Sequence, residues 1–148
     1  GRQSTARASR RTGASREGSV SSNKDTVRRY IDGFNKSDHA QILSCLTDDI
    51  EWLMPGMFHL NGKEAFDKEI NNDAFTGNPT VTITRLTQEN DVVIAEGTVR
   101  VAWKAGGFLD AVFSDAFEME NGRIRRLTTY QVNLKGEAPV SSSAPPAP

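Results

Sequence analysis

From Lys24 onward the apolar residues Val27, Tyr30, Ile31 and Phe34 recur at i, i+3, i+4 and i+7. That spacing is one face of an amphipathic helix, with Asn23 placed as its N-cap. Tyr30 is therefore expected to point inward. Ser37 or Asp38 caps a second, short helix that buries Ile42, Leu43 and Leu46 and is ended by Asp48-Asp49. The period then changes to two. Ile50, Trp52 and Met54 share one face of a strand, and Glu51 and Leu53 share the other, until Pro55-Gly56 stops it. A short loop from Gly56 to Asn61 carries His59, after which Asn61 and Glu64 have the spacing of a capping box. The helix they open carries Phe66 and Ile70 one turn apart. Four strand-like runs follow, about Thr80 to Thr87, Val92 to Trp103, Phe108 to Met119 and Arg123 to Leu134. Gln88-Glu89-Asn90-Asp91, Lys104-Ala105-Gly106-Gly107 and Glu120-Asn121-Gly122 separate them, each a hairpin signal. Helices first and a meander afterwards predict an α+β fold: a cone formed by a curved antiparallel sheet, four meander strands plus one short strand, with three N-terminal helices on its concave face.

Composition narrows the folded unit within the 148 residues. Residues 1–22 carry Arg2, Arg7, Arg10, Arg11 and Arg16 among serines, glycines and alanines, with Val20 as the one branched apolar residue. Such a segment cannot bury enough surface to offset its chain entropy. Residues 136–148 form a Ser, Ala and Pro tract of the same character. One domain spanning 23–135 is expected between two disordered tails.

With the basic front set aside, the domain is mildly acidic, which argues against nucleic acid as its partner. No apolar run approaches the length of a membrane span, and the single Cys45 excludes an intrachain disulfide. His39 and His59 lack metal-ligand spacing, so no metal or other cofactor is expected. A soluble, cytoplasmic protein fits these features.

One position breaks the pattern. On the third long strand Ala111, Phe113, Asp115, Phe117 and Met119 alternate onto one face, setting a carboxylate in the middle of an apolar stripe. An ionised carboxyl without partners is costly to bury, so Asp115 is hydrogen-bonded, protonated, or facing a cavity. The plainer alternative is an ion pair with Arg125 or Arg126 at the sheet edge. Glu96 shares a face with Ile94, Thr98 and Arg100 and is expected to pair with Arg100 on the outer side.

The stretches Arg29-Tyr30-Ile31 with Asp38, Thr47-Asp48-Asp49, Pro55, Gly62-Lys63-Glu64-Ala65, and Asp115 with Gly122-Arg123-Ile124 and Tyr130 resemble the ketosteroid isomerase and SnoaL-like branch of the nuclear transport factor 2-like superfamily. The resemblance covers essentially all of residues 23–135. It implies that Tyr30 and Asp115 are the two donors of an oxyanion hole. It also implies a general-base Asp immediately before a proline, where this chain has Met54, and methionine accepts no proton. The Arg and Asp two apart that mark limonene-epoxide-hydrolase-like relatives are missing too, because Arg100 is followed by Val101 and Ala102. The resemblance further implies a homodimer through the outer sheet face.

The last hairpin decides which residues join Asp115. A three-residue Glu120-Asn121-Gly122 loop puts Leu127, Thr129 and Gln131 on its face; a two-residue Asn121-Gly122 turn puts Arg126, Thr128 and Tyr130 there. The first agrees with the family's pocket. The expected site is then an apolar pocket for a small hydrophobic ligand. Tyr30, Asp115 and His59 are its catalytic candidates, with His59 standing in for the absent base. Trp52, Met54 and Phe66 contribute from the front half of the chain. Val99, Val101, Phe113, Phe117, Leu127 and Gln131 contribute from the meander. The implied chemistry is cofactor-free proton transfer on a carbonyl compound by an isomerase, cyclase or dehydratase. The competing reading is a ligand-binding or dimerisation domain that lacks the base.

Overall fold

A computed structural model describes residues 23–134. The two expected tails, and Lys135 at the end of the expected domain, lie outside the described residues. Helix α1, described over 23–36, buries Val27, Tyr30 and Ile31, the face its periodicity marks. Asn23 is already helical and buried here. Helix α2 (His39–Ser44) is capped by Asp38, whose side chain accepts from the Gln41 N–H at 3.0 Å. It stops at Cys45, earlier than Asp48-Asp49, because those two residues lie within strand β1 (Leu46–Met54).

Residues 56–61 are not a plain loop. Phe58–Asn61 form strand β2, paired antiparallel with β1 from Glu51 to Met54. Asn61 therefore belongs to the sheet, and Gly62, at φ 88°, is the N-cap of α3 (Lys63–Ile70), with no side-chain capping bond. The capping box expected from Asn61 and Glu64 is displaced by strand pairing.

Strands β3 (Phe75–Glu89), β4 (Val92–Trp103), β5 (Phe108–Glu120) and β6 (Arg123–Asn133) form the meander. β3 begins five residues earlier than its apolar pattern suggests, continuing across a register shift between Thr76 and Thr80. The sheet has six strands in the order β2-β1-β6-β5-β4-β3, one more than the sequence pattern predicts, and β1 runs parallel to β6. It curls without closing, and the three helices complete an α+β fold.

Two irregularities shape the curl. Gly97 on β4 faces the register shift between Ile83 and Arg85, and a Cβ there would overlap the Thr82 carbonyl oxygen. The β5–β6 hairpin combines both geometries the sequence allows. Its turn is the two-residue one, Glu120 pairing Arg123, with positive φ at Asn121 and Gly122. A bulge then places Arg125 and Arg126 against Glu118 and restores the other register, with Phe117 opposite Leu127, Asp115 opposite Thr129 and Phe113 opposite Gln131.

The charged partners also differ from the sequence expectation. Arg125 pairs with Glu118 and Glu120, and Arg126 with Glu118, so neither meets Asp115. Glu96 takes a bidentate bond from Arg85 at 2.8 Å, and Arg100 instead approaches Asp110 at 3.6 Å and lies over Phe108. The cross-strand neighbours outcompete the pair along one strand, because Arg85 and Asp110 stand directly opposite these residues. Among the described residues, no helix is long and apolar enough to cross a membrane.

Candidate functional site

The helices and the curled sheet enclose a cavity of about 670 Å³. Tyr30, Asp115 and Thr129 lie at its inner part, and exposed residues such as Ser37, Asn72 and Lys104 lie at its rim. Below the inner end the core is closed. Phe66, Phe117 and Leu127 are no more than 1% exposed and do not line the cavity. They support it: Phe66 stacks on Trp52 at 4.5 Å, and the Phe117 ring meets Tyr30 edge-on at 5.4 Å.

Asp115 is 8% exposed. Thr129, directly across on β6, is hydrogen-bonded to its carboxyl group. The Thr129 hydroxyl oxygen also accepts from the Trp52 indole N–H at 3.0 Å. An indole N–H only donates, so this bond occupies the hydroxyl oxygen and leaves the hydroxyl hydrogen for Asp115. The other carboxyl oxygen, Oδ1, is buried and has no hydrogen-bond partner. Burial raises the Asp115 pKa to about 7, against the opposing effect of Thr129. This carboxyl is neither a free ion nor a member of an ion pair, and both of its protonation states are populated near neutral pH.

Tyr30, 2% exposed, lines the same cavity. Desolvation raises its pKa well above the ordinary value, and the nearby Asp115 charge adds to the effect, so the phenol stays protonated and able to donate. Trp52, Met54, Val99, Val101, Phe113 and Gln131 also line the cavity. His59 does not. Strand pairing with Leu53 leaves it exposed, its Nε2 3.0 Å from Glu51 on the neighbouring strand. The distinction turns on whether residues 58–61 form a strand, which their own sequence does not mark strongly.

The cavity has an imidazole that the sequence pattern did not single out. His39, the first residue of α2, lines the rim with Nδ1 2.6 Å from Asp67 Oδ1 on α3. The two residues are 28 positions apart, so no local spacing points to the pair. Glu69 is also at the rim, its pKa raised by partial burial. No group of three or more metal-ligating side chains occurs among the described residues.

The fold that encloses this cavity is one that comparison with known proteins recognises. The model of the SnoaL-like domain matches residues 27–127. The chain belongs to the SnoaL-like domain family. Its fold is that of the nuclear transport factor 2-like superfamily, which includes the ketosteroid isomerase-like folds.

Among solved structures similar to this SnoaL-like chain is a putative polyketide cyclase from Xanthomonas campestris pv. campestris. It has a TM-score of 0.70 at 20% identity, over 76% of this chain and 91% of that one. An LEH-like epoxide hydrolase of M. tuberculosis gives 0.68 at 17% identity, over 76% and 84%. TerC, co-crystallised with polyporic acid, gives 0.66 at 20% identity, over 73% and 89%. At these identities the likeness is one of fold. Comparison with curated proteins gives no significant match.

Proposed function

We propose that this SnoaL-like domain binds a small hydrophobic carbonyl compound in the cavity and catalyses cofactor-free proton transfer on it. The observation that carries the reading is Asp115: a buried carboxyl at an apolar cavity, held on one side by Thr129, with Oδ1 unpartnered and a pKa of about 7. A group poised near the working pH both takes and returns a proton with little driving force lost in either direction. In this reading the Asp115 carboxylate removes a proton from the carbon beside the carbonyl. The Tyr30 hydroxyl donates a hydrogen bond to the oxygen on which charge develops, and the resulting carboxylic acid returns a proton to carbon. A putative polyketide cyclase and an LEH-like epoxide hydrolase among the structural relatives agree with small-molecule chemistry on this fold.

A second reading, ligand binding without turnover, is favoured by Met54. It lines the cavity immediately before Pro55, where ketosteroid isomerase-like relatives are expected to carry their base. Exchange of the α-protons of 2-tetralone in D2O, followed by proton NMR, separates the readings without knowledge of the natural substrate. Catalysed exchange that rises with pH through about 7 and is lost in Asp115→Asn supports proton transfer. Saturable binding of the ketone with no exchange above buffer selects the binding-only reading, and absence of binding sinks both.

We also infer a homodimer through the outer sheet face. There Tyr130, Val132 and Leu134 of the last strand and its exit, with Val112 of β5, are exposed apolar residues, and Tyr130 and Val132 are more than half exposed. A contiguous apolar patch on a sheet face suits contact with a second copy of itself.

A further inference from the structure

Strand β6 directs Thr129, Gln131 and Asn133 into the cavity at alternate positions. Alternate residues of a strand stand about 6.8 Å apart along its length, so the three side chains form a line leading from the Asp115 end towards the rim. Their sheet neighbours along the cavity, Val99 and Val101 of β4 and Leu109 and Phe113 of β5, are apolar. Past Asp115, the line runs beside an apolar stretch of the sheet wall.

The line is also oriented. Gln131 Nε2 donates to Asn133 Oδ1 at 3.0 Å. That bond leaves the Gln131 carbonyl oxygen and the Asn133 amino group without a hydrogen-bond partner among the described residues. Exchanging O and N in both amides reverses the bond and swaps which residue keeps the free acceptor and which the free donor. Gln131 is half-buried, and its side chain is held towards the cavity.

We propose that Gln131, held by Asn133, selects an elongated apolar ligand with an oxygen function at each end, one at Asp115 and Tyr30 and the other about two strand positions away. This specificity reading rests on the proposed function above, and it adds the shape and polarity of the substrate. The selection works by exclusion. A ligand that covers Gln131 without a hydroxyl to meet it removes water from an amide and gives nothing back, whereas a hydroxyl at that end, which both donates and accepts, restores the bond.

Calorimetric titration of the full chain at pH 6 with 2-naphthol and with 2,6-dihydroxynaphthalene tests the inference, because the two share one ring body and differ in the far hydroxyl. The dihydroxy compound is expected to bind about tenfold more tightly. Gln131→Met, which keeps the bulk and removes the amide, is expected to abolish that preference, chiefly by tightening 2-naphthol, which then no longer covers an unpaired amide. Equal affinities in the wild type, or a preference that survives Gln131→Met, overturn the inference; the wild-type comparison stands even if the variant folds poorly. If neither naphthol binds, or if Asp115→Asn leaves both affinities unchanged, the proposed function fails and the inference fails with it.

Discussion

A carboxyl group on the inward face of a strand stays there by pairing with a cation, by collecting hydrogen bonds, or by holding its proton. Asp115 has one hydroxyl partner and no cation, and it therefore holds its proton up to about pH 7. The consequence for stability has a definite sign. Between the ordinary value of 3.8 and about 7, the native state keeps a proton that the unfolded chain has released. Stability must fall as pH rises through that window, and the loss is complete above it. Asp115→Asn removes the titration. Its melting temperature relative to wild type is expected to rise between pH 4 and pH 8, by a margin on the order of a few kcal/mol of stability. A constant difference between the two proteins across that range, measured by calorimetry, would show that Asp115 ionises freely in the folded state.

Elements, rather than single residues, decide who meets Asp115. The Asn121-Gly122 turn alone would bring Arg126, Thr128 and Tyr130 to its face, placing a guanidinium and a half-exposed phenol in the cavity wall. The extra residue at Arg125 reverses that outcome by letting two residues of β6 oppose Glu118. Deleting Arg125 is therefore a register experiment. Without it the two-residue turn leads straight to Arg126 opposite Glu118, so Leu127, Thr129 and Gln131 stay on the Asp115 face and the Trp52–Thr129–Asp115 chain of hydrogen bonds is kept. A cooperative transition within about 10 °C of the wild type is the expected result, since the core keeps its register and the Arg125 ion pairs with Glu118 and Glu120 are what is lost. A deletion variant that loses its cooperative transition would mean that the bulge itself, and not only the register beyond it, is needed to hold the core. A second element shows the same dependence on pairing: β2 takes His59 out of a loop and turns it towards Glu51, while α2 and α3 together hold His39, paired with Asp67, at the rim.

For the whole molecule, the sheet has one face for the cavity and one for the outside, and the outside is not uniformly polar. Arg100 over Phe108 at 4.0 Å, with Asp110 beside it, covers one part. The area around Val112, Tyr130 and Val132 remains apolar and exposed. If that area joins two copies, size-exclusion chromatography with light scattering on the full chain gives a dimer mass, and Val132→Lys moves it towards the monomer by placing a charge in the contact. A wild-type monomer across the micromolar range would sink the dimer. Cavity and outer face use alternate residues of the same strands, so Val132→Lys should leave ligand binding at Gln131 and Asn133 intact.

Much of this was present in the sequence because it depends on local periodicity. The helical spacing of Val27, Tyr30, Ile31 and Phe34, the alternation around Asp115 and the glycine-containing turns marked α1, the faces of β5 and the hairpins of the meander, and Tyr30 and Asp115 lie at one cavity. The sequence also raised the two registers of the last hairpin. The tertiary structure was needed wherever an outcome depended on a partner distant in the chain. Residues 58–61 become a strand because β1 is there to pair with them, β3 starts early because β4 extends alongside it, and Arg125 bulges because register must satisfy both the turn and the core. The same holds for the acid itself. Its place on an apolar face follows from a period of two, but its proton affinity depends on burial and on Thr129 from across the sheet, whose hydroxyl is itself bonded to Trp52, 77 residues before it in the chain. Such a balance of desolvation against hydrogen bonding exists only once the chain has folded.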